Sequence, residues 1–233
     1  SNEAIWASGT FRTEYVWGIR SMADGKHYTT QEYDENEGSC IVKWSYKTGK
    51  VVDTLLTSNM AFGDARETFG GYEFSSDERF VVLTTASEGL YRHSFYANFY
   101  VYDFETEEDA RPVTDFRKGK QRLAQLSPAG DKVAFVRENN IFISDLASGA
   151  EVQVTDDGVT NAIINGATDW VYEEEFGDDQ GLFWNGDGSR LAYLKFDESN
   201  VREFHMPVYG SLYPDPYTFK YPKAGEDNSD VSV

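Results

Sequence analysis

The stretch SPAGDKVAFVR (Ser127–Arg137) sets a polar turn directly in front of a strand-like apolar run. Ser-Pro and Asp/Asn-Gly pairs initiate tight turns, and apolar or alternating residues behind them suit a pleated strand. Three other stretches share this design: SMADGKHYTT (Ser21–Thr30), SSDERFVVLTT (Ser75–Thr85) and NGDGSRLAYLK (Asn185–Lys195). With Gly25, Glu78, Gly130 and Gly188 as equivalent turn positions, the intervals are 53, 52 and 58 residues. A second unit of strand, turn and short strand follows each of the first three. It reads CIVKWSYKTGKVVDTLL (Cys40–Leu56), FYVYDFETEEDARPVTD (Phe99–Asp115) and IFISDLASGAEVQVTD (Ile141–Asp156).

Strand–turn–strand units recurring at roughly 40–55 residues mark the blades of a β-propeller, each a four-stranded sheet. One such sheet cannot cover both of its faces, so blades must pack radially on their neighbours. No amphipathic stretch of ten residues has a helical period, and the repeat lacks the leucine or helical signatures of solenoids. The expected fold class is all-β: a partial β-propeller of about four four-stranded blades, part of a larger ring. The blades are expected at roughly 10–57, 70–115, 120–157 and 165–221. KYPKAGEDNSDVSV (Lys220–Val233) reads as the opening strand of a further unit, from residue 222 onward.

Composition narrows the chemistry. Lys+Arg of 21 against Asp+Glu of 40 gives a formal charge of -19, which repels phosphate backbones and anionic lipid. Nucleic acid is therefore not an expected partner. Aromatic residues make up 15% of the chain, in keeping with sheet. The single cysteine, Cys40, allows neither an internal disulfide nor a thiolate metal cluster. No run approaches the ~18 apolar residues of a membrane span.

Catalytic motifs are missing from these 233 residues. There is no Gly-x-Ser-x-Gly elbow to present a nucleophilic serine, no His-Glu-x-x-His spacing and no glycine-rich phosphate loop. His27, His93 and His205 stand without companion motifs, and His93 reads as a structural strand residue. No metal site, no cofactor and no catalytic residue is expected in this chain. The remaining chemical signal is DWVYEEEFG (Asp169–Gly177), three adjacent glutamates behind an aromatic run. Trp170–Phe176 could form one helical turn with Asp169 as its N-cap. Two-carboxylate glycoside chemistry fails on geometry, since its partners flank the scissile bond from opposing sides at ~5 Å or more. Clustered carboxylates can instead bracket an ammonium, which has three donors and no acceptor. An exposed acidic turn and a cation-receiving one both remain open at this point.

Three ordered motifs then point to a family. DWVYEEEFG closely resembles the glutamate motif of the dipeptidyl peptidase IV family of serine exopeptidases, in the prolyl oligopeptidase superfamily. YRHSFYANFYVYDF (Tyr91–Phe104) resembles that family's segment with a substrate-contacting arginine, and YPKAG (Tyr221–Gly225) is similar to a segment following its fourth-blade strands. The resemblance implies an eight-bladed N-terminal propeller joined to a C-terminal α/β-hydrolase domain, with substrate held between them. It implies release of N-terminal dipeptides with proline or alanine in second place. Glu174 and Glu175 would grip the substrate's α-ammonium, and Arg92 would contact the carbonyl between its first two residues. The Ser, Asp and His of the triad belong to the hydrolase domain, to which nothing here corresponds. The chain is accordingly expected to hold roughly the first half of the propeller and not to be catalytic alone.

The expected partners are peptides with a free N-terminus, the protein's own hydrolase domain and, through an arm at Val201–Tyr221, a second copy in a homodimer. The expected location is exported: periplasmic, cell-surface or secreted. A catalytically inactive relative and a free-standing propeller module for protein interactions are the competing readings.

Overall fold

The computed structural model describes residues 1–233 apart from Glu14. Three successive sheets are antiparallel meanders of four strands. The first contains β1 (Arg20–Ser21), β2 (His27–Asp34), β3 (Gly38–Ser45) and β4 (Val51–Thr57). The second contains β5 (Gly71–Phe74), β6 (Phe80–Gly89), β7 (Phe95–Asp103) and β8 (Arg111–Pro112). The third contains β9 (Arg122–Leu126), β10 (Lys132–Arg137), β11 (Asn140–Asp145) and β12 (Glu151–Gln153). Each quoted turn-plus-run stretch supplies the turn leading into a middle strand. The first sheet starts at Arg20, so residues 10–13 and 15–19 stand outside it; before them lies a short helix, α1 (Asn2–Trp6). A second short helix, α2 (Ser58–Phe62), joins the first sheet to the second, with the Thr57 side chain capping it at Met60 N.

Side-chain alternation explains the radial stacking. Successive residues of a strand point to opposite faces, so a strand apolar at every position is buried on both. Val81 and Leu83 of β6 enter a core with Ile41, Leu56 and Tyr72, between the first and second sheets. Val82, the residue between them, enters the next core with Phe99, Val133 and Phe135. In β10 the pattern repeats: Val133 and Phe135 face back, while Ala134 and Val136 face forward onto Ile164, Leu182 and Phe196. Each core thus lies between two blades. The architecture is all-β, part of a propeller.

The fourth blade departs from the meander. Its long strand is broken at Leu194 into β15 (Leu191–Tyr193) and β16 (Lys195–Asp197). On one edge, β13 (Ile163–Asn165) pairs with β16 and β14 (Leu182–Trp184) pairs with β15. These two pieces act as one strand interrupted by residues 166–181, which bulge out and carry the helix α3 (Trp170–Phe176). Main-chain bonds close the neck: Gly166 N donates to Leu194 O at 2.9 Å, Leu194 N to Gly181 O at 2.7 Å and Gly181 N to Gly166 O at 3.1 Å. Thr168 Oγ1 adds a bond to Asp178 O at 2.8 Å.

The end of the chain corrects an expectation. The segment from 222 does not open a further blade: β19 (Asp230–Ser232) pairs antiparallel with β16, Lys195 opposite Ser232. The free edge of β16 needs a hydrogen-bonding partner, and β19 supplies it. The hairpin of β17 (Glu203–Val208) and β18 (Asp215–Lys220) is therefore an excursion within the fourth blade. Its aromatic base is tied to the second blade by Tyr217 Oη donating to Leu90 O at 3.4 Å and by Tyr91 packing on Phe219. Its tip leaves Tyr209, Leu212 and Tyr213 largely exposed.

Two stability predictions arise. Gly166 sits at the neck with φ +78°, and a Cβ there would lie 2.8 Å from Ile141 Cγ1. Gly166→Ala should lower stability by about 1–3 kcal/mol, read as a lower urea midpoint. Glu198, just beyond β16, is 6% exposed; burial and then the Asp169 charge raise its carboxyl to about 7, with Lys220 opposing. A raised folded pKa favours the protonated form. The associated stability is thus full below the ordinary value of 4.5 and is lost as pH rises through about 7. Glu198→Gln should flatten that dependence and exceed wild type at pH ~8 by on the order of 3 kcal/mol, measured by urea unfolding across the window.

Candidate functional site

The helix α3 is only seven residues long, too short to persist by propensity, so its ends are capped. Asp169 is the N-cap: its side chain accepts from Tyr172 N at 2.9 Å and from Ser229 Oγ at 2.6 Å. Gly177, at φ +67°, ends the helix, its N–H and that of Asp178 returning to Glu173 O and Tyr172 O. The expected single turn with Asp169 at its start is present and slightly longer. Tyr172 packs edge-on against Phe196 of the blade core, at 4.9 Å between ring centroids. Trp170 lies 4.5 Å from the Tyr221 ring, which brings the YPKAG segment against the helix.

Consecutive residues on a helix point about 100° apart, so three adjacent glutamates must face three ways. Glu173 points inward and is fully buried. Its Oε1 accepts from His93 N at 2.7 Å and from Ser94 N at 2.8 Å, both in the loop joining β6 to β7. This carboxylate ties the second blade to the fourth. Reading the sequence alone gave Glu173 no task of its own, because which glutamate faces inward depends on the side of α3 that the blade occupies.

Glu174 points along the rim and meets Arg92 of the same loop. Arg92 Nε donates to both carboxylate oxygens, at 2.8 and 3.0 Å, and Nη2 lies 2.5 Å from Oε1. The Arg92 hydrogen bonds hold the Glu174 carboxyl below its ordinary value against a smaller opposing effect of burial. Glu175 is exposed and borders an open groove of about 340 Å³ shared with Tyr221, Pro222, Lys223 and Glu226. The structure thus joins Arg92 and Glu174 directly, while Glu175, the next residue, faces solvent at the groove. His93 corrects an expectation: it lies exposed in the loop, not in a strand, because the hairpin opens after Gly89 and resumes at Phe95.

Another residue escaped the sequence reading. Arg122, in β9, is 3% exposed and lies near the site with Nε and Nη2 unpartnered. Among the described residues, no group of three or more His, Cys, Asp or Glu side chains has an arrangement fit for a metal ion. Cys40 is a free, buried thiol in β3.

Chemically, the site offers a rim carboxylate already oriented by a guanidinium, an exposed carboxylate on the next residue, and a buried third that fixes both supporting elements. Such a set suits a small cationic group, which two carboxylates can share as acceptors.

Comparison with known proteins bears on the chain as a whole. A family model described as the dipeptidyl peptidase IV (DPP IV) N-terminal region matches residues 75–233. Probable dipeptidyl-aminopeptidase B of Podospora anserina is 32% identical over 231 residues, covering 93% of this chain and 25% of its own length. Prolyl endopeptidase FAP of Homo sapiens is 32% identical over 228 residues, covering 97% and 28%. The crystal structure of Porphyromonas gingivalis dipeptidyl peptidase 4 superposes with a TM-score of 0.86 at 45% identity, over 99% of this chain and 32% of that one. The chain spans about a quarter to a third of the length of these relatives. Blade repeats, an inserted glutamate helix and these matches together make the chain a member of the dipeptidyl peptidase IV family, lying in its N-terminal region.

Proposed function

We propose that the chain is the substrate-recognition part of a serine peptidase that releases X-Pro and X-Ala dipeptides from free peptide N-termini. The observation that carries this reading is the Arg92–Glu174 pair, formed between residues of two different blades, with the next residue, Glu175, exposed. A substrate α-ammonium would take the outward lone pairs of Glu174 and an oxygen of Glu175. Each charge-assisted bond is worth roughly 1.5–3 kcal/mol when shielded from water. Arg92, two-thirds exposed, keeps donors free for the carbonyl between the first two substrate residues. Its planar fork can hold Glu174 and a carbonyl together, which a lysine ammonium does less well.

Fixing the positive end of a peptide turns the site into a ruler. A nucleophile at a set distance, on a hydrolase domain outside these residues, reaches only the bond after the second residue. By this reading the chain alone does not cleave. The exposed Tyr209, Leu212 and Tyr213 at the arm tip favour homodimerisation of the whole protein. Export to the periplasm, cell surface or medium is part of the same proposal and rests on the family resemblance.

In the full-length protein, Glu174→Gln should lower kcat/KM for an Ala-Pro-linked chromogenic substrate at least about 100-fold without loss of folding. Blocking the substrate's amine by acetylation should have a comparable effect on the wild type. Equal turnover of free and acetylated substrates would overturn the ammonium assignment.

A further inference from the structure

Arg122 is aimed by an irregularity in its strand. Gln125 pairs with Ala134 and Arg122 with Val136, so β9 spends one residue more than β10 over this interval. The extra residue is accommodated at Leu123, whose φ of +57° is rare for a branched side chain. Residues directly opposite in an antiparallel pair share a face. The bulge therefore places Arg122 on the face of Val136, which packs towards the fourth blade. In a regular strand Arg122 would face the second blade instead.

There it is buried, and four neighbouring polar atoms share a deficit. Arg122 Nε and Nη2, Ser94 Oγ and Glu173 Oε2 have no protein partner, although Ser94 N already donates to Glu173 Oε1. Ser94 and Arg122 line one cavity of about 360 Å³, room enough for ordered water. Around the guanidinium stand the Tyr96 and Tyr91 phenols, the latter kept un-ionised by burial, and the carboxylates of Glu173 and Asp179. An unpaired buried guanidinium and an unpaired carboxylate oxygen are each costly, and together they offset one another.

We propose that Arg122 is a positioning residue of the rim site: its buried guanidinium is the counter-charge of Glu173, joined to it through water beside Ser94, which lines the cavity with Arg122 and bonds Glu173 through its amide. In that role it keeps the carboxylate placed to hold the loop that carries Arg92. The kinetic part of the test rests on the function proposed above; the charge pairing does not.

The test uses the full-length protein. On an Ala-Pro-linked substrate, Arg122→Met should raise KM roughly tenfold with kcat within about threefold. Arg122→Lys, which keeps the charge, should recover most of that loss. Combining Arg122→Met with Glu173→Gln should be no worse than the more damaging single change, because the charge requiring compensation is gone. Losses that simply multiply, or a lysine variant as poor as the methionine one, would overturn the proposal. A near-atomic-resolution crystal structure tests the pairing whether or not dipeptides are released, and without relying on variants that fold. Water bridging the Arg122 guanidinium to Glu173 Oε2 supports it. A guanidinium turned to other acceptors, with no shared water, refutes it.

Discussion

One buried carboxylate organises this region of the molecule. Glu173 accepts two amide hydrogens from the loop at His93 and Ser94, bridging elements about 80 residues apart in sequence. Desolvating a carboxylate costs several kcal/mol unless it is well bonded, and bonds to a charged acceptor return roughly 1.5–3 kcal/mol each. The result is steep: the loop is either seated on that oxygen or leaves a buried charge unsatisfied. With the loop seated, Arg92 lies one residue from the anchor and Glu174 one residue from it on the other side. Their ion pair is exposed and would be weak if formed by two mobile elements. Here its geometry is set by the interaction beneath it.

The propeller makes that arrangement possible. Because β6 and β10 bury alternate residues in different cores, blades stack face to face and their inner connections converge. The second-blade loop and the fourth-blade insertion can then meet across the third. The insertion is short enough to be stiff, capped at both ends and closed at its neck by main-chain bonds. A rigid scaffold carrying functional groups on protruding connections is a common division of labour in β-architectures. In this chain the division runs between blade strands that mainly pack, with Arg122 of β9 supporting the site from below, and two connections that carry its exposed charges.

Much of this was legible in the residues. The four turn-plus-run stretches marked the blades because turn chemistry and strand alternation are local properties. Asp169 and Gly177 framed a helical turn for the same reason, since caps are read from single residues. That Arg92 and Glu174 belong together came from a family resemblance, and the structure shows them in contact. What stayed hidden was non-local. The inward turn of Glu173 depends on which side of α3 the blade occupies. The aim of Arg122 depends on a bulge that no residue type announces, as Leu123 is not a glycine. The pairing of β19 with β16 was missed because the arm between them resembles the end of a blade.

The pinning of the loop by Glu173 is tested most directly by amide hydrogen exchange in wild type and Glu173→Ala. Expected are slow exchange at His93 and Ser94 in the wild type and fast exchange at both in the variant, with the β6 and β7 amides of Leu83 and Val101 unchanged. Unaltered protection of His93 and Ser94 after removal of the carboxylate would contradict it.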